Sequence, residues 1–212
     1  MKTGRGNKRN QGITLWFTGL PCSGKTTVSR QVFERLQRAG KRAELLDGDI
    51  VRQRLTKGLG FSKEDRDENI RRIGFVCHLL TRNGVIALAA AISPYRSVRD
   101  ELRRQIDSFA EIFVHCPLEV CKERDVKGMY RKALAGELAH FTGVSDPYEE
   151  PLNPDLVLHT DRESLEESVS KVMDLLARRG HVASERRVAA KGRTRPGRRA
   201  SRRRPASSRN IQ

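Results

Sequence analysis

Residues Gly19-Leu20-Pro21-Cys22-Ser23-Gly24-Lys25-Thr26 match the spacing G-x-x-x-x-G-K-[ST]. Each residue type in that spacing has a task at a polyphosphate. Glycines let backbone N–H groups turn inward around phosphate oxygens, and the positive end of a following helix adds to the attraction. Lys25 would reach the β- and γ-phosphates, and Thr26 would offer its hydroxyl to Mg²⁺. The simpler alternative is a glycine turn joining a strand to a helix. The flanks favour the phosphate loop, because Ile13–Thr18 is an apolar run that reads as a buried strand and residues 27–38 read as a helix.

A phosphate loop fixes the donor and leaves the acceptor open. Asp47-Gly48-Asp49 ends a short second strand read at 42–46. A carboxylate there could activate a hydroxyl or hold a water on Mg²⁺, with Asp49 the stronger candidate. The alternative is an Asx turn capping a helix that begins at Ile50. Arg52, Arg66, Arg71 and Arg72 lie close in sequence, with Asn69 among them. Guanidinium groups grip phosphate or sulfate oxygens bidentately. Glu64, Asp65, Asp67 and Glu68 alternate with them, so a solvated helix face is the competing reading for at least one of the four. Arg66 and Asn69 are three residues apart and share a helix face. Ser93 directly follows a buried run, where its hydroxyl would either point into a ligand crevice or make a turn before Pro94. Phe61 and Phe141 sit in polar surroundings and are either local core plugs or platforms for a purine ring. Arg124, Lys127, Arg131 and Lys132 cluster beside Gly128 and Gly136, the composition of a basic lid that closes over phosphates or of an ordinary surface loop.

These groups need elements to position them. Strands are predicted at Ile13–Thr18, 42–46, 85–92, 110–115 and 156–158. Helices are predicted at 27–39, 50–55, from the Ser62 cap to Arg82, 98–107, 118–126 and 164–179, and residues 128–154 read as a polar stretch. Strands alternating with helices predict an α/β, three-layer fold with a parallel five-stranded sheet. The glycine loop after the first strand and the basic cluster at 124–132 make it the P-loop nucleoside triphosphate hydrolase type with a basic lid. Ligands in such sheets bind outside the carboxyl ends of the strands. Residues 19–26, 47–49, 93–96 and those after Cys116 all fall there.

The chain has 212 residues and a net charge of +16. That charge suggests nucleic acid until its distribution is read. Residues 1–12 carry four basic and no acidic residues, and residues 183–212 carry eleven basic and one acidic. The body, 13–182, is almost balanced with 27 basic and 25 acidic. We therefore expect a flexible basic extension at 1–12, one catalytic domain at 13–182 and a disordered arginine-rich tail at 183–212. The tail lacks aromatics for base stacking, so weak, sequence-blind polyanion binding is the most it predicts. No apolar run approaches the ~20 residues of a spanning helix, and the amino-terminal residues lack the apolar core of a secretory signal. Cys22, Cys77, Cys116 and Cys121 form no C-x-x-C pair and no zinc spacing, which fits reduced cytoplasmic thiols.

Taken together, several segments resemble the adenylylsulfate kinase (APS kinase) family. They are Asp47-Gly48-Asp49 with Arg52, Gly58–Ser62, Asp65–Arg72, Ile92–Arg96, Arg124–Tyr130, Phe141-Thr142-Gly143 and Asp146–Glu149. The resemblance spans roughly residues 12–182. It implies Mg·ATP-dependent phosphorylation of the 3′-hydroxyl of adenosine 5′-phosphosulfate (APS), giving 3′-phosphoadenosine 5′-phosphosulfate and ADP. It implies ATP binding by Gly19, Leu20, Pro21, Cys22, Ser23, Gly24, Lys25, Thr26, Thr27 and Arg124. APS would contact Asp47, Asp49, Arg52, Phe61, Arg66, Asn69, Ile92, Ser93, Lys127, Leu138, Phe141 and Thr142. Phe61 and Phe141 would sandwich the adenine, and Lys25, Asp49 and Ser93 are the implied catalytic set. The family serine at Ser93 is often described as a phosphoserine intermediate, a step in-line transfer does not require. Mg²⁺ would sit at Thr26 and Asp49, the latter directly or through water. A homodimer is expected by analogy. Pro21-Cys22, Ala90, Ala91 and Leu134 depart from the family pattern. On the residues alone, a nucleoside monophosphate or a small polyol remains open as acceptor.

Overall fold

Apolar strands joined by helices settle into a parallel sheet because the crossovers cover both faces. The computed structural model describes residues 12–183. Its strands are β1 (Ile13–Thr18), β2 (Ala43–Asp47), β3 (Ile86–Ala90), β4 (Phe109–His115) and β5 (Leu156–His159). All neighbours run parallel, in the order β2-β3-β1-β4-β5. The helices are α1 (Lys25–Arg38), α2 (Gly48–Arg54), α3 (Lys63–Arg82), α4 (Arg96–Gln105), α5 (Leu118–Arg124), α6 (Met129–Leu134) and α7 (Leu165–Arg178).

Side chains alternate across each strand, and that alternation makes the three layers. Ile13, Leu15 and Phe17 of β1, with Ile86 and Leu88 of β3, face Val28, Val32 and Leu36 of α1 and Val169, Val172 and Leu176 of α7. Trp16, Ala87 and Ala89 face the other way, onto Ile70, Ile73 and Cys77 of α3 and Val98 and Leu102 of α4. Each fully buried Leu, Ile or Val contributes about 1.5–3 kcal/mol. Phe17 is level with Ala90 of β3 and Ile112 of β4, and Asp47 of β2 is level with Ala90. The chain segments leaving these strand ends therefore emerge along one edge of the sheet.

Local signals set the helix ends. Ser62 Oγ accepts from the Asp65 N–H at 3.1 Å and caps α3. Ser164 and Glu167 form a reciprocal capping box on α7. Several expected boundaries shift, two helices most informatively. The first helix begins inside the phosphate loop at Lys25, two residues before the expected start at Thr27. The helix expected over 98–107 runs Arg96–Gln105, because the Glu149 carboxylate accepts from the Arg96 N–H at 2.8 Å and Ile106 turns extended. The stretch 128–154 also contains α6, which was not expected.

Among the described residues no helix is long and apolar enough to cross a membrane. All four cysteines are free, three of them buried and Cys22 half-buried. The expectations for the basic extension and the arginine-rich tail fall on residues outside the described ones, save residues 12 and 183.

Candidate active site

The loop after β1 is held open by its backbone. Gly19 has φ 154°, and a Cβ there would stand 2.4 Å from the Val114 carbonyl oxygen, so only glycine fits. Gly24 turns at φ 94° into α1, and Cys22 adopts a left-handed φ of 60° without being glycine. Lys25 lies beneath this turn. Its ammonium donates to the Gly19 carbonyl at 2.9 Å, the Leu20 carbonyl at 2.6 Å and Ser23 Oγ at 3.4 Å. Burial pushes its pKa down to about 8. A buried cation with only neutral oxygens as partners is poised to turn toward an anion. Thr26 and Thr27 stand exposed at the first turn of α1.

Asp47 and Asp49 divide their roles. Asp47 Oδ1 accepts from the Asp49 N–H at 3.0 Å, so the Asx cap and a carboxylate facing the cavity coexist in one residue. Asp47 Oδ2 is buried and has no hydrogen-bond partner among the described residues. Asp49 is exposed and forms an ion pair with Lys127, reaching across from the segment after α5. That hydrogen bond raises the Lys127 pKa.

Ser93 lies in a buried relay of hydroxyls. Trp16 Nε1 donates to Ser93 Oγ at 3.0 Å, Ser93 Oγ donates to Thr18 Oγ1 at 3.0 Å, and Thr18 Oγ1 donates to the Ile92 carbonyl at 2.8 Å. The Tyr148 hydroxyl joins Thr18 at 2.9 Å. Ser93 is only 1% exposed and has a left-handed φ of 43°. Arg99 fixes that strained turn, donating to the Ser93 carbonyl at 2.5 Å, the Glu149 carbonyl at 2.6 Å and Glu111 at 2.7 Å.

A second electropositive cluster lies along the cavity. Arg52 stacks over the Phe61 ring at 4.4 Å, with Arg66 at 5.6 Å from the same ring. Burial, and then repulsion from Arg66, lowers the Arg52 pKa. The two guanidiniums share one ring, and Arg66 also faces the Asp146 carboxylate at 3.8 Å. Arg66 is itself buried. It donates to the Phe61 carbonyl at 2.9 Å, to Thr142 Oγ1 at 3.1 Å and to the His140 carbonyl. Asn69 Oδ1 accepts from Thr56 at 2.8 Å. Arg71 and Arg72 do not join them. They pair with Glu101 and Glu68 on the solvated side of α3.

One cavity of about 810 Å³ takes in both clusters. Of the residues expected at the site, Pro21, Cys22, Gly24, Lys25, Thr26, Thr27, Asp47, Asp49, Arg52, Phe61, Arg66, Asn69, Ile92, Ser93, Arg124, Lys127, Leu138, Phe141 and Thr142 line it. Gly19, Leu20 and Ser23 lie behind the wall as partners of Lys25. Arg131 and Lys132 of the expected lid are exposed and do not line the cavity. Tyr130 and Thr160 are among the contributors not foreseen as site residues. Tyr130 is buried, donates to the Pro21 carbonyl at 3.1 Å and packs edge-on against Phe141. Thr160 accepts from Arg124 and donates to the Ser23 carbonyl at 2.8 Å, clamping the phosphate loop from behind β5. Its place just past the end of β5 was the available signal.

A parallel sheet in this order, with a glycine loop gripping a buried lysine at the end of β1, defines a P-loop kinase. A sequence model described as Adenylylsulphate kinase matches residues 11–159. An adenylyl-sulfate kinase of Picosynechococcus sp. is 62% identical over 173 residues, covering 82% of this chain and 98% of the relative. The structure of the Mycobacterium tuberculosis APS kinase in complex with AMPPNP and APS is 45% identical, with TM-score 0.76, covering 78% of this chain and 98% of that one. A hexameric APS kinase from Thiobacillus denitrificans is 36% identical, with TM-score 0.65, covering 84% of this chain and 31% of that one. The chain belongs to the adenylylsulfate kinase family.

Proposed function

We propose that this enzyme transfers the γ-phosphoryl group of ATP to the 3′-hydroxyl of APS, forming 3′-phosphoadenosine 5′-phosphosulfate and ADP. One observation carries the reading: a single cavity joins a phosphate loop to a separate arginine and aromatic cluster suited to a second nucleotide. The triphosphate takes residues 19–27, with Lys25 turning from the loop carbonyls to the β- and γ-phosphates. Arg124 and Thr160 flank the nucleotide. Arg52 and Arg66 take the phosphosulfate, Phe61 and Phe141 the adenine, and Asn69, Ile92, Leu138 and Thr142 complete that pocket.

The metal fit rests on the chemistry of the donors. A hard cation prefers oxygen, and the Asp47 Oδ2 atom is an orphaned carboxylate oxygen on the cavity wall. Thr26, Asp49 and Asp47, the last two directly or through water, would hold Mg²⁺. The ion would neutralise charge on the transferring phosphate. Asp49 accepts the 3′-hydroxyl proton, and Lys127 holds that carboxylate in place until substrate arrives. Ser93 acts as a positioning residue. Its hydroxyl is committed to Trp16 and Thr18, and a phosphate there would need to displace those hydrogen bonds. Residues 124–142 act as a basic lid whose closure excludes water, so that phosphate passes to APS and not to solvent.

The basic extension 1–12 and the tail 183–212 are appendages to this catalytic body, and truncation after Val182 should keep activity while losing any polyanion binding. The reading also includes a homodimer, checked by light scattering, and a cytoplasmic setting in keeping with four unpaired thiols. Coupled ADP release with APS, AMP and gluconate as acceptors tests the function. Release stimulated by APS alone supports it, and APS giving no more than the ATP-only background overturns it.

A further inference from the structure

A cluster outside the nucleotide cavity has a donor set that the phosphoryl transfer does not use. His115 ends β4 and His159 ends β5, and the two are register partners on neighbouring strands. Asp161 follows two residues later. Among the described residues, these three alone bring His, Cys, Asp or Glu donor atoms together in a group of three, all within 4.8 Å of one another. We propose that His115, His159 and Asp161 bind one divalent transition-metal ion of the zinc class, tetrahedrally, with a water in the fourth position.

Three observations support the assignment. The His115 and His159 Nδ1 atoms stand 3.3 Å apart. Two nitrogens each about 2.0–2.1 Å from a tetrahedral zinc are separated by about 3.3–3.4 Å, so the pair already spans one edge of the coordination polyhedron. Asp161 supplies the third donor. Its Oδ2 accepts from Arg162 Nε at 3.1 Å, while its Oδ1 is buried without a partner among the described residues. The surroundings also hold the ligand-bearing chain in place. The backbone N–H of His159 donates to Glu163 at 2.9 Å, Glu163 pairs with Lys171 at 2.7 Å, and the Phe113 ring packs edge-on against the His115 imidazole at 5.5 Å.

Two imidazoles and one carboxylate select zinc-class ions over Mg²⁺ and Ca²⁺, which prefer all-oxygen shells. The site therefore does not compete for the Mg²⁺ that accompanies ATP. The spacing of the cysteines excluded a thiolate zinc site, and this one uses none. Thr160 lies between the ligands in sequence. Its N–H donates to the His115 carbonyl at 3.2 Å and its hydroxyl to the Ser23 carbonyl. A bound ion would tie the ends of β4 and β5 together directly behind the phosphate loop.

The test uses the full chain, stripped with chelator and titrated with Co²⁺ in excess Mg²⁺. The expected result is the visible absorption of tetrahedral cobalt, saturating at one equivalent and displaced by Zn²⁺. His115→Ala, His159→Ala and Asp161→Asn should each weaken binding at least about tenfold, since even outer-shell losses cost that much. His78→Ala, on α3, should not. Each variant is first checked for a native circular dichroism spectrum, and His159→Gln replaces any alanine variant that fails. Absence of saturable binding, equal affinity in the ligand variants, or a thiolate-to-cobalt charge-transfer band would each overturn the proposal.

Discussion

The protonation of Lys25 makes a quantitative prediction. Its pKa falls from 10.5 to about 8 because burial strips water from the ammonium. The drop corresponds to roughly 3 kcal/mol against the charged form in the folded, nucleotide-free enzyme. Between pH 8 and 10.5 the folded chain binds fewer protons than the unfolded chain, so stability rises with pH across that window. Below pH 8 the full penalty is present. A triphosphate reverses the balance by giving the ammonium an anion, which drives Lys25 back to full protonation. At pH 8.5 about three-quarters of the lysine is neutral before binding, and at pH 7.5 about one-quarter, given a pKa near 8. Binding of Mg·ATP should therefore take up about 0.75 proton at pH 8.5 and about 0.25 at pH 7.5. Calorimetry in buffers of differing ionisation enthalpy measures this directly. Lys25→Met should abolish the uptake and turnover together. It should also stabilise the free enzyme by roughly 1 kcal/mol, after about 1 kcal/mol is deducted for each of the two loop carbonyls that lose a donor. No uptake at pH 8.5, or the same uptake in Lys25→Met, would refute the reasoning.

Three further outcomes follow from the geometry. Asp49→Asn should lower kcat at least about 100-fold while leaving ATP affinity within about threefold, as expected for a lost proton acceptor; steady-state kinetics with unchanged kcat would remove Asp49 from its role. Ser93→Ala breaks the link between Trp16 and Thr18 and should cost about 1–3 kcal/mol of stability in urea denaturation, with activity reduced but present. Intact mass after ATP treatment should show no phosphoserine in the parent enzyme, and complete inactivity of the variant together with such an adduct would reverse the assignment. Arg99→Ala should cost about 3–5 kcal/mol by leaving Glu111 buried. The low end is expected because Arg103 stays 3.3 Å from that carboxylate, and a loss under about 1 kcal/mol would show the ion pair to be dispensable.

What could be read in advance depended on whether the signal was local. The phosphate loop, the Ser62 cap and the Ser164 capping box are written within a few consecutive residues. The central strands are nearly unbroken apolar runs, so the sheet was legible. The α6 helix was not. It has six residues between glycines, too short for periodicity to register, and its start depends on the Asp125 carboxylate accepting from the Tyr130 and Arg131 N–H groups. The contacts of Tyr130 with Pro21 and of Thr160 with Ser23 span 109 and 137 residues, distances over which only the folded sheet edge supplies the information. Arg99 illustrates the same limit. It lies on a charged helix beside Val98 and is nevertheless 1% exposed, because its partner Glu111 lies inside an otherwise apolar strand. Asp47 was weighed as either a cap or a functional carboxylate. Its two oxygens separate these possibilities, one bonded to the Asp49 N–H and one buried without a partner among the described residues in a residue that lines the cavity.

The position of the transferred phosphate tests the central claim most directly. The purified enzyme is given γ-labelled ATP with APS or with its 3′-deoxy analogue, and the product is treated with a 3′-nucleotidase. The account predicts label in the APS product, all of it released by that treatment, and none in the deoxy analogue. Label transferred to the deoxy analogue, or retained on Ser93 with none reaching APS, would contradict it.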